Sequence, residues 1–287
     1  MGVLDTLRFI VRHPLAGKHP VRSVLDWARW QVGSRLVPGP VVVPFVGQTR
    51  LVVTRGMTGA TGNIYCGLHE LEDMAFALHY LRPDEVFADV GANVGSYTIL
   101  AAGAAHALVH AFEPVPITFA ALETNVRVNG LGARTVLQRF GVGDAPGELV
   151  MTSEGDTVNH ILRPGESAPN TVRVLVRRLD DLLAGVVPAL VKVDVEGYEY
   201  QVLVGGESTF AQCGAAIIEV SQHHDEVLGL IRQAGLEPVD YDPFTRTLIP
   251  LPGLNSARGN TIVVRDREAA QARVRAAQRF AVKRELV

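Results

Sequence analysis

Three observations in the amino-acid sequence predict a doubly wound α/β fold. From residue 85 onward, short β-branched runs alternate with helical stretches. One apolar run, 86–90, breaks into a glycine-containing turn, 91–95, that opens a helix. The next, 109–113, ends on an acid, Glu113, 22 residues after Gly91. The 287 residues suffice for one large domain or two small ones, and 47% apolar with 20% charged residues is a globular composition. Twenty-eight glycines and 16 prolines spread along the chain argue against a coiled coil, and the apolar content argues against gross disorder. A net charge of −3 offers no global attraction to nucleic acid.

In chain order, residues 1–38 read as two short helices broken at His13-Pro14 and closed by Pro38-Gly39-Pro40. Six basic residues there (Arg8, Arg12, Lys18, Arg22, Arg29, Arg35) face only Asp5 and Asp26. That is either a solvated face or a surface for a membrane or an acidic partner. A hairpin follows, 41–46 with 51–54 about Gly47-Gln48, and then a helix over 68–80 stopped before Pro83. Strands are expected at 86–90, 108–113, 135–140, 190–195, 215–220 and 261–265, with helices at 96–104, 117–129 and 226–233. An Ala- and Arg-rich helix at 267–284 ends the chain. The expected organisation is an extension over 1–84, a cofactor-binding domain over 85–265 and a C-terminal helix over 266–287. Cys66 and Cys213 are far apart and support neither a disulfide framework nor a zinc site. The start of the chain carries Asp5 where a secretion signal wants positive charge, and no apolar run approaches the roughly 20 residues of a membrane span. These features read as a soluble, cytoplasmic protein.

The turn Asp89-Val90-Gly91-Ala92-Asn93-Val94-Gly95 lies where open α/β sheets bind ligands, at a strand's carboxyl end with a new helix presenting unpaired N–H groups. Glu113 at the next strand end suits the two hydroxyls of a ribose. A dinucleotide turn needs glycine at the position of Asn93 so that a pyrophosphate can approach, and Asp89 would repel that group. Asp89 instead suits a cofactor with a cationic amino-acid end, such as S-adenosylmethionine. The bland alternative makes Asp89 and Glu113 ordinary strand-end caps.

The stretch Asp89 to Thr98, then Phe112-Glu113-Pro114-Val115-Pro116 with Phe119, Leu122 and Asn125, then Lys192-Val193-Asp194-Val195-Glu196-Gly197-Tyr198-Glu199, resembles the successive signatures of the FkbM family of S-adenosylmethionine-dependent methyltransferases. The resemblance covers about residues 63–265. It implies a Rossmann-like class I methyltransferase with a seven-stranded, mostly parallel sheet whose last strand is antiparallel, and a hydroxyl of a sugar or secondary metabolite as acceptor. On matching positions it implies that Asp89, Gly91, Asn93 and Gly95 surround the methionine part, with Ser96, Tyr97 and Thr98 beside it. Glu113 would hold the ribose, Pro114 would flank the adenine, and Val142 and Asp144 would border it. Tyr65 and Glu70, in the segment before the first motif, would close over the cofactor.

Methyl transfer to oxygen needs an aligned nucleophile and an acceptor for its proton. Asp194 and Glu196 stand at the end of an apolar strand, on the face of Lys192 if the strand persists that far. Glu219 ends the next apolar run. Asp194 and Glu219 are candidates for accepting the proton or holding Mg2+, against the alternative that such acids only cap helices or pair with Lys192. His160, in the polar loop 152–170, is a candidate base by type, or else a surface histidine. Nucleic acid is the less favoured acceptor, since neither a Pro-Cys pair nor an Asn/Asp-Pro-Pro-aromatic stretch is present. The competing readings are an NAD-dependent oxidoreductase, disfavoured by Asn93, and a non-catalytic subunit that binds S-adenosylmethionine. The hairpin and the helices outside the sheet would serve a homodimer.

Overall fold

The computed structural model describes residues 2–37, 39–153, 161–162, 168–255 and 257–287. Helices Val3–Arg12 and Pro20–Leu36 lead into a hairpin of β1 (Val41–Pro44) and β2 (Arg50–Val53), then helices Thr58–Cys66 and Leu71–Tyr80. The next strands are β3 (Val86–Val90), β4 (Leu108–Phe112), β5 (Thr135–Gln138), β6 (Gly141–Val142), β7 (Gly147–Thr152) and β8 (Thr171–Arg177). They are followed by β9 (Leu190–Val193), β10 (Ala215–Glu219), β11 (Glu237–Asp242), β12 (Thr247–Pro250) and β13 (Asn260–Val264). A short hairpin, β14 (Ala281–Val282) and β15 (Glu285–Leu286), closes the chain.

The central sheet has the order β12-β11-β13-β10-β9-β3-β4-β5. Strands β5, β4, β3, β9 and β10 run parallel, and β13 is antiparallel to both β10 and β11. This is the doubly wound class I methyltransferase arrangement expected, with β12 added as an eighth strand at the edge. The chain winds outward from β3 through β4 to β5, and in the other direction from β9 to β10. The direction of winding therefore switches between β3 and β9, where connections leave on opposite faces and open a crevice. A separate small sheet, β6-β8-β7, stands beyond β5.

Period-two alternation divides the core. Phe87 and Ile217 point into one apolar cluster, Ala88, Val90 and Ile218 into the other. The first cluster runs from Leu15 to Val287, so the extension, the sheet and the C-terminal segment share one core. Among the described residues no helix is long and apolar enough to cross a membrane.

Four elements differ from expectation. The Thr58–Cys66 helix was not anticipated because its two glycines lower helix propensity; Gly62 is required because a Cβ there would lie 2.3 Å from the His69 ring. Strand β9 stops at Val193, so Asp194 and Glu196 lie past its end. Helix Arg267–Ala276 stops well short of residue 284, because Phe280, Val282 and Val287 are buried and the tail must fold back to bury them. The Phe280 and Val287 backbones bond each other across that return. Finally, the β11–β12 hairpin was not among the expected strands.

Two asparagines one turn apart on helix Pro116–Val128 and its cap join the extension to the sheet. Asn125 is fully buried; its side chain accepts from the Val52 N–H (2.6 Å) and donates to the Val94 carbonyl (2.8 Å). Asn129 accepts from the Arg50 N–H and donates to the Arg50 carbonyl, both at 2.8 Å. The two amides thus serve the outer edge of β2 as a neighbouring strand would. Asn125→Ala is expected to lower the unfolding free energy by about 2–3 kcal/mol, read by urea denaturation, since buried partners lose their hydrogen bonds.

Candidate active site

The crevice at the switch point is a cavity of about 430 Å³. Its floor is made by the carboxyl ends of β3, β4, β9 and β10, one side by Phe140 and Val142, and another by Leu149, Met151 and Val174 of the small sheet with Ile161. Ala60, His69, Glu70 and Met74 of the extension form the wall opposite.

The glycine turn is shaped by crowding between β3 and β9. Gly91 has φ +82°, and a Cβ there would lie 1.8 Å from the Asp194 carbonyl oxygen, so no other residue fits. Gly95, at φ +96°, faces the Leu122 side chain in the same way, with a Cβ reaching 2.6 Å. Asn93 takes φ +51°, a left-handed conformation that asparagine tolerates. Its N–H donates to Glu113 Oε2 at 3.1 Å, and the Val115 N–H donates to Oε1 at 2.9 Å. Glu113 is thereby locked at the end of β4; burial raises its carboxyl to about 7. Asp89 is 1% exposed, accepts from Thr98 Oγ1 at 2.6 Å, and is raised to about 6 by burial.

Lys192 lies at the centre of the floor, 3% exposed, its Nζ 2.6 Å from Asp194 Oδ2 and 4.7 Å from the centre of the Tyr97 ring. Burial alone would lower its pKa, but Asp194, Glu70 and Asp89 outweigh that and hold the ammonium above its ordinary range. Burial likewise pushes Asp194 up, but Lys192 and a hydrogen bond from Glu219 prevail, and its carboxyl sits below the usual range. Glu219 moves the other way. Burial and the Asp194 carboxylate raise it to about 9, so at neutral pH Glu219 holds the proton that the two acids share. Tyr97 Oη donates to Glu70 Oε2 at 2.6 Å.

The structure brings Glu70, Asp89, Gly91, Asn93, Ser96, Tyr97, Glu113, Pro114, Val142, Asp194 and Glu219 to this one cavity. Gly95 and Thr98 support it from behind, through the turn and the bond to Asp89. Two further residues expected in the site lie away from it. Tyr65 packs with Ile10, Ala16 and Cys66 under the N-terminal helices, because the Thr58–Cys66 helix turns it away. Asp144 is exposed past the wall, where Tyr198 fills the space against Gly143. His160 lies outside the described residues. Among the described residues no group of three potential metal ligands assembles, and Lys192 already occupies Asp194.

Sequence reasoning did not count Lys192 in the site, although a charge inside an apolar strand was a usable signal. His69 and Met74 carried no signal of their own, because only the packing of distant segments brings them to the cavity, and Tyr198 was named within the third signature without a role.

These shifts have a net sign for stability. Asp73 and Glu113 at about 7, Asp89 at about 6 and Glu219 at about 9 are all raised chiefly by burial, and each keeps a proton in the fold that the unfolded chain releases. His13 and His79, lowered by burial from 6.5 to about 4, act oppositely and offset the acids below pH 6.5. Above that the raised acids titrate, joined near pH 9 by the buried thiols of Cys66 and Cys213, so the fold binds more protons and stability falls as pH rises. The urea midpoint is expected to drop between about pH 7 and 9, and Glu219→Gln to flatten that slope.

Residues 89–238 match the Methyltransferase FkbM domain. The hexuronic acid methyltransferase AglP of Haloferax volcanii is 30% identical over 174 residues, 58% of this chain and 70% of that protein. The 31-O-demethyl-FK506 methyltransferase FkbM of Streptomyces tacrolimicus is 32% identical over 203 residues, 57% of this chain and 77% of that protein. A solved structure, P. horikoshii TYW2 in complex with MeSAdo, superposes at a TM-score of 0.44 and 16% identity over 78% of this chain and 69% of that one, too loosely to weigh further. The domain match spans more than half of the chain and coincides with the strands and turns that build the cavity, so this chain belongs to the FkbM methyltransferase family.

Proposed function

We propose that this protein is an S-adenosylmethionine-dependent O-methyltransferase whose acceptor is a hydroxyl of a sugar or glycosylated natural product. The observation that carries this reading is the charge of the cavity floor. Glu70, Asp89 and Asp194 act there on a single ammonium, that of Lys192, and Glu113 lies at the neighbouring strand end. Such a floor repels a pyrophosphate and accommodates a cation. S-adenosylmethionine, when bound, supplies a methyl group made electrophilic by its sulfonium. Its amino-acid end suits Asp89 and the turn at Gly91. Its ribose suits Glu113, whose oxygens keep acceptor capacity beyond the two N–H groups that fix them. Its adenine suits the apolar side formed by Pro114, Phe140 and Val142. The relatives that act on a hexuronic acid and on 31-O-demethyl-FK506 support an oxygen-rich small acceptor.

Asp194 takes the proton of the acceptor hydroxyl. An alcohol oxygen becomes strongly acidic as its new carbon bond forms, so a carboxylate held ionised is basic enough to receive that proton. Lys192 keeps Asp194 ionised and oriented, and Glu219, protonated, donates a hydrogen bond to the same carboxylate. His160 is a second candidate base; its chain neighbour Ile161 lines the cavity.

Calorimetric titration with S-adenosylhomocysteine and with NAD distinguishes the methyltransferase from an oxidoreductase, and micromolar affinity for the first alone is expected. Glu113→Ala is expected to weaken S-adenosylhomocysteine binding more than about tenfold, and unchanged affinity removes the ribose assignment. Asp194→Asn is expected to reduce turnover of an accepted sugar by about 100-fold or more with cofactor affinity kept within about threefold; if His160→Ala alone gives that loss, the base is His160.

A further inference from the structure

The helix Pro20–Leu36 carries an apolar stripe on its outward face as well as on its inward one. Residues 21, 25, 32 and 36 fall within about 60° on its surface at 100° per residue, and Val21, Leu25, Val32 and Leu36 are 72%, 48%, 58% and 76% exposed. Arg35 borders this stripe on one side, Arg29 and Arg22 on the other, all exposed. The face turned into the protein carries Val24, Trp27 and Trp30, packed against apolar clusters, with Ser23 and Ser34 buried between them. The outward stripe is therefore a second apolar face that the fold leaves uncovered. Its one acid, Asp26, pairs with Lys283 at 2.7 Å and also lies 3.9 Å from Arg29, at the inner border of the stripe, so no acid stands on the stripe itself. The neighbouring helix Val3–Arg12 exposes Val3, Leu4 and Val11 beside Arg8 and Arg12. Among the described residues, eight of the nineteen exposed large apolar side chains fall within residues 3–37.

We propose that the outward face of helix Pro20–Leu36 docks this protein on the surface of an anionic lipid bilayer. The apolar stripe would enter the boundary between headgroups and acyl chains, and the flanking guanidinium groups would meet lipid phosphates. The charge argues against a second copy of the chain as occupant: a two-fold contact through this face opposes arginine with arginine, and the one nearby acid, Asp26, is already shared among Arg29, Lys283 and Arg284. At about 1.5 Å per residue the helix lies roughly 25 Å along the surface, and it does not need to cross the membrane.

The test is flotation of the full chain with phosphatidylcholine vesicles, with and without about 30 mol% phosphatidylglycerol. Binding to the anionic vesicles is expected to be at least about tenfold greater, and to fall at about 0.5 M sodium chloride. The double variants Leu25→Glu with Val32→Glu, and Arg22→Glu with Arg29→Glu, are each expected to abolish it. All four positions are exposed, so far-ultraviolet circular dichroism and the thermal midpoint are expected to stay at their wild-type values. Absence of binding to anionic vesicles, or binding that both variants leave unchanged, overturns the proposal. Light scattering that shows a dimer dissolved by the same substitutions, with no vesicle binding, also overturns it and assigns the face to a second copy.

Discussion

The ammonium of Lys192 is the charge on which the arrangement of the cavity floor depends. Removing a lysine from water is costly, and burial alone would drive it toward its neutral form. Asp194, Glu70 and Asp89 reverse that, and in return the ammonium lets carboxyl groups stand close together in a space that would otherwise force them to protonate. The proton that remains sits on Glu219, not on Asp194, because the ammonium touches Asp194. One strand position thus decides which of two neighbouring acids is ionised. A buried ion network of this kind adds little to stability by itself, but removing one member leaves its partners unpaired. Its consequence here is electrostatic: a floor with more acid than base, open to a cavity.

The second constraint is backbone proximity. Strands β3 and β9 meet so closely at the switch point that Gly91 rests against the Asp194 carbonyl. The same contact bends the turn whose Asn93 N–H fixes Glu113. The glycine turn, Glu113 and the acid pair are therefore one mechanical unit, and a side chain at Gly91 would disturb all three. The extension is tied to that unit through Asn125, which bonds β2 and the Val94 carbonyl of the turn at once. The wall made by Ala60, His69, Glu70 and Met74 is held against the floor by the shared core and by the Tyr97–Glu70 hydrogen bond.

Much of the fold was legible because strand runs buried on both faces read as continuous apolar stretches, and because Gly91, Gly95 and Glu113 sit at strand ends where spacing alone is informative. Where legibility failed, the causes were physical. The Thr58–Cys66 helix has glycines that propensity penalises but that packing against His69 requires. The terminal helix was expected too long because Ala and Arg favour helix throughout, while burial of Phe280, Val282 and Val287 overrides them. Tyr65 and Asp144 were expected in the site from the family resemblance, and a helix and the Tyr198 side chain separate them from the cavity.

By itself the sequence determined the doubly wound class, the ligand-binding strand ends and the acids that lie on them, because these follow from local periodicity and from residues a few positions apart. Only the tertiary structure decided that Lys192 neutralises Asp194 and not another acid, that Glu219 keeps the shared proton, and that the extension supplies a wall of the cavity. It also decided that one N-terminal helix turns an apolar stripe outward. Charge state and exposure depend on which distant segments meet, and a linear pattern contains no record of those distances.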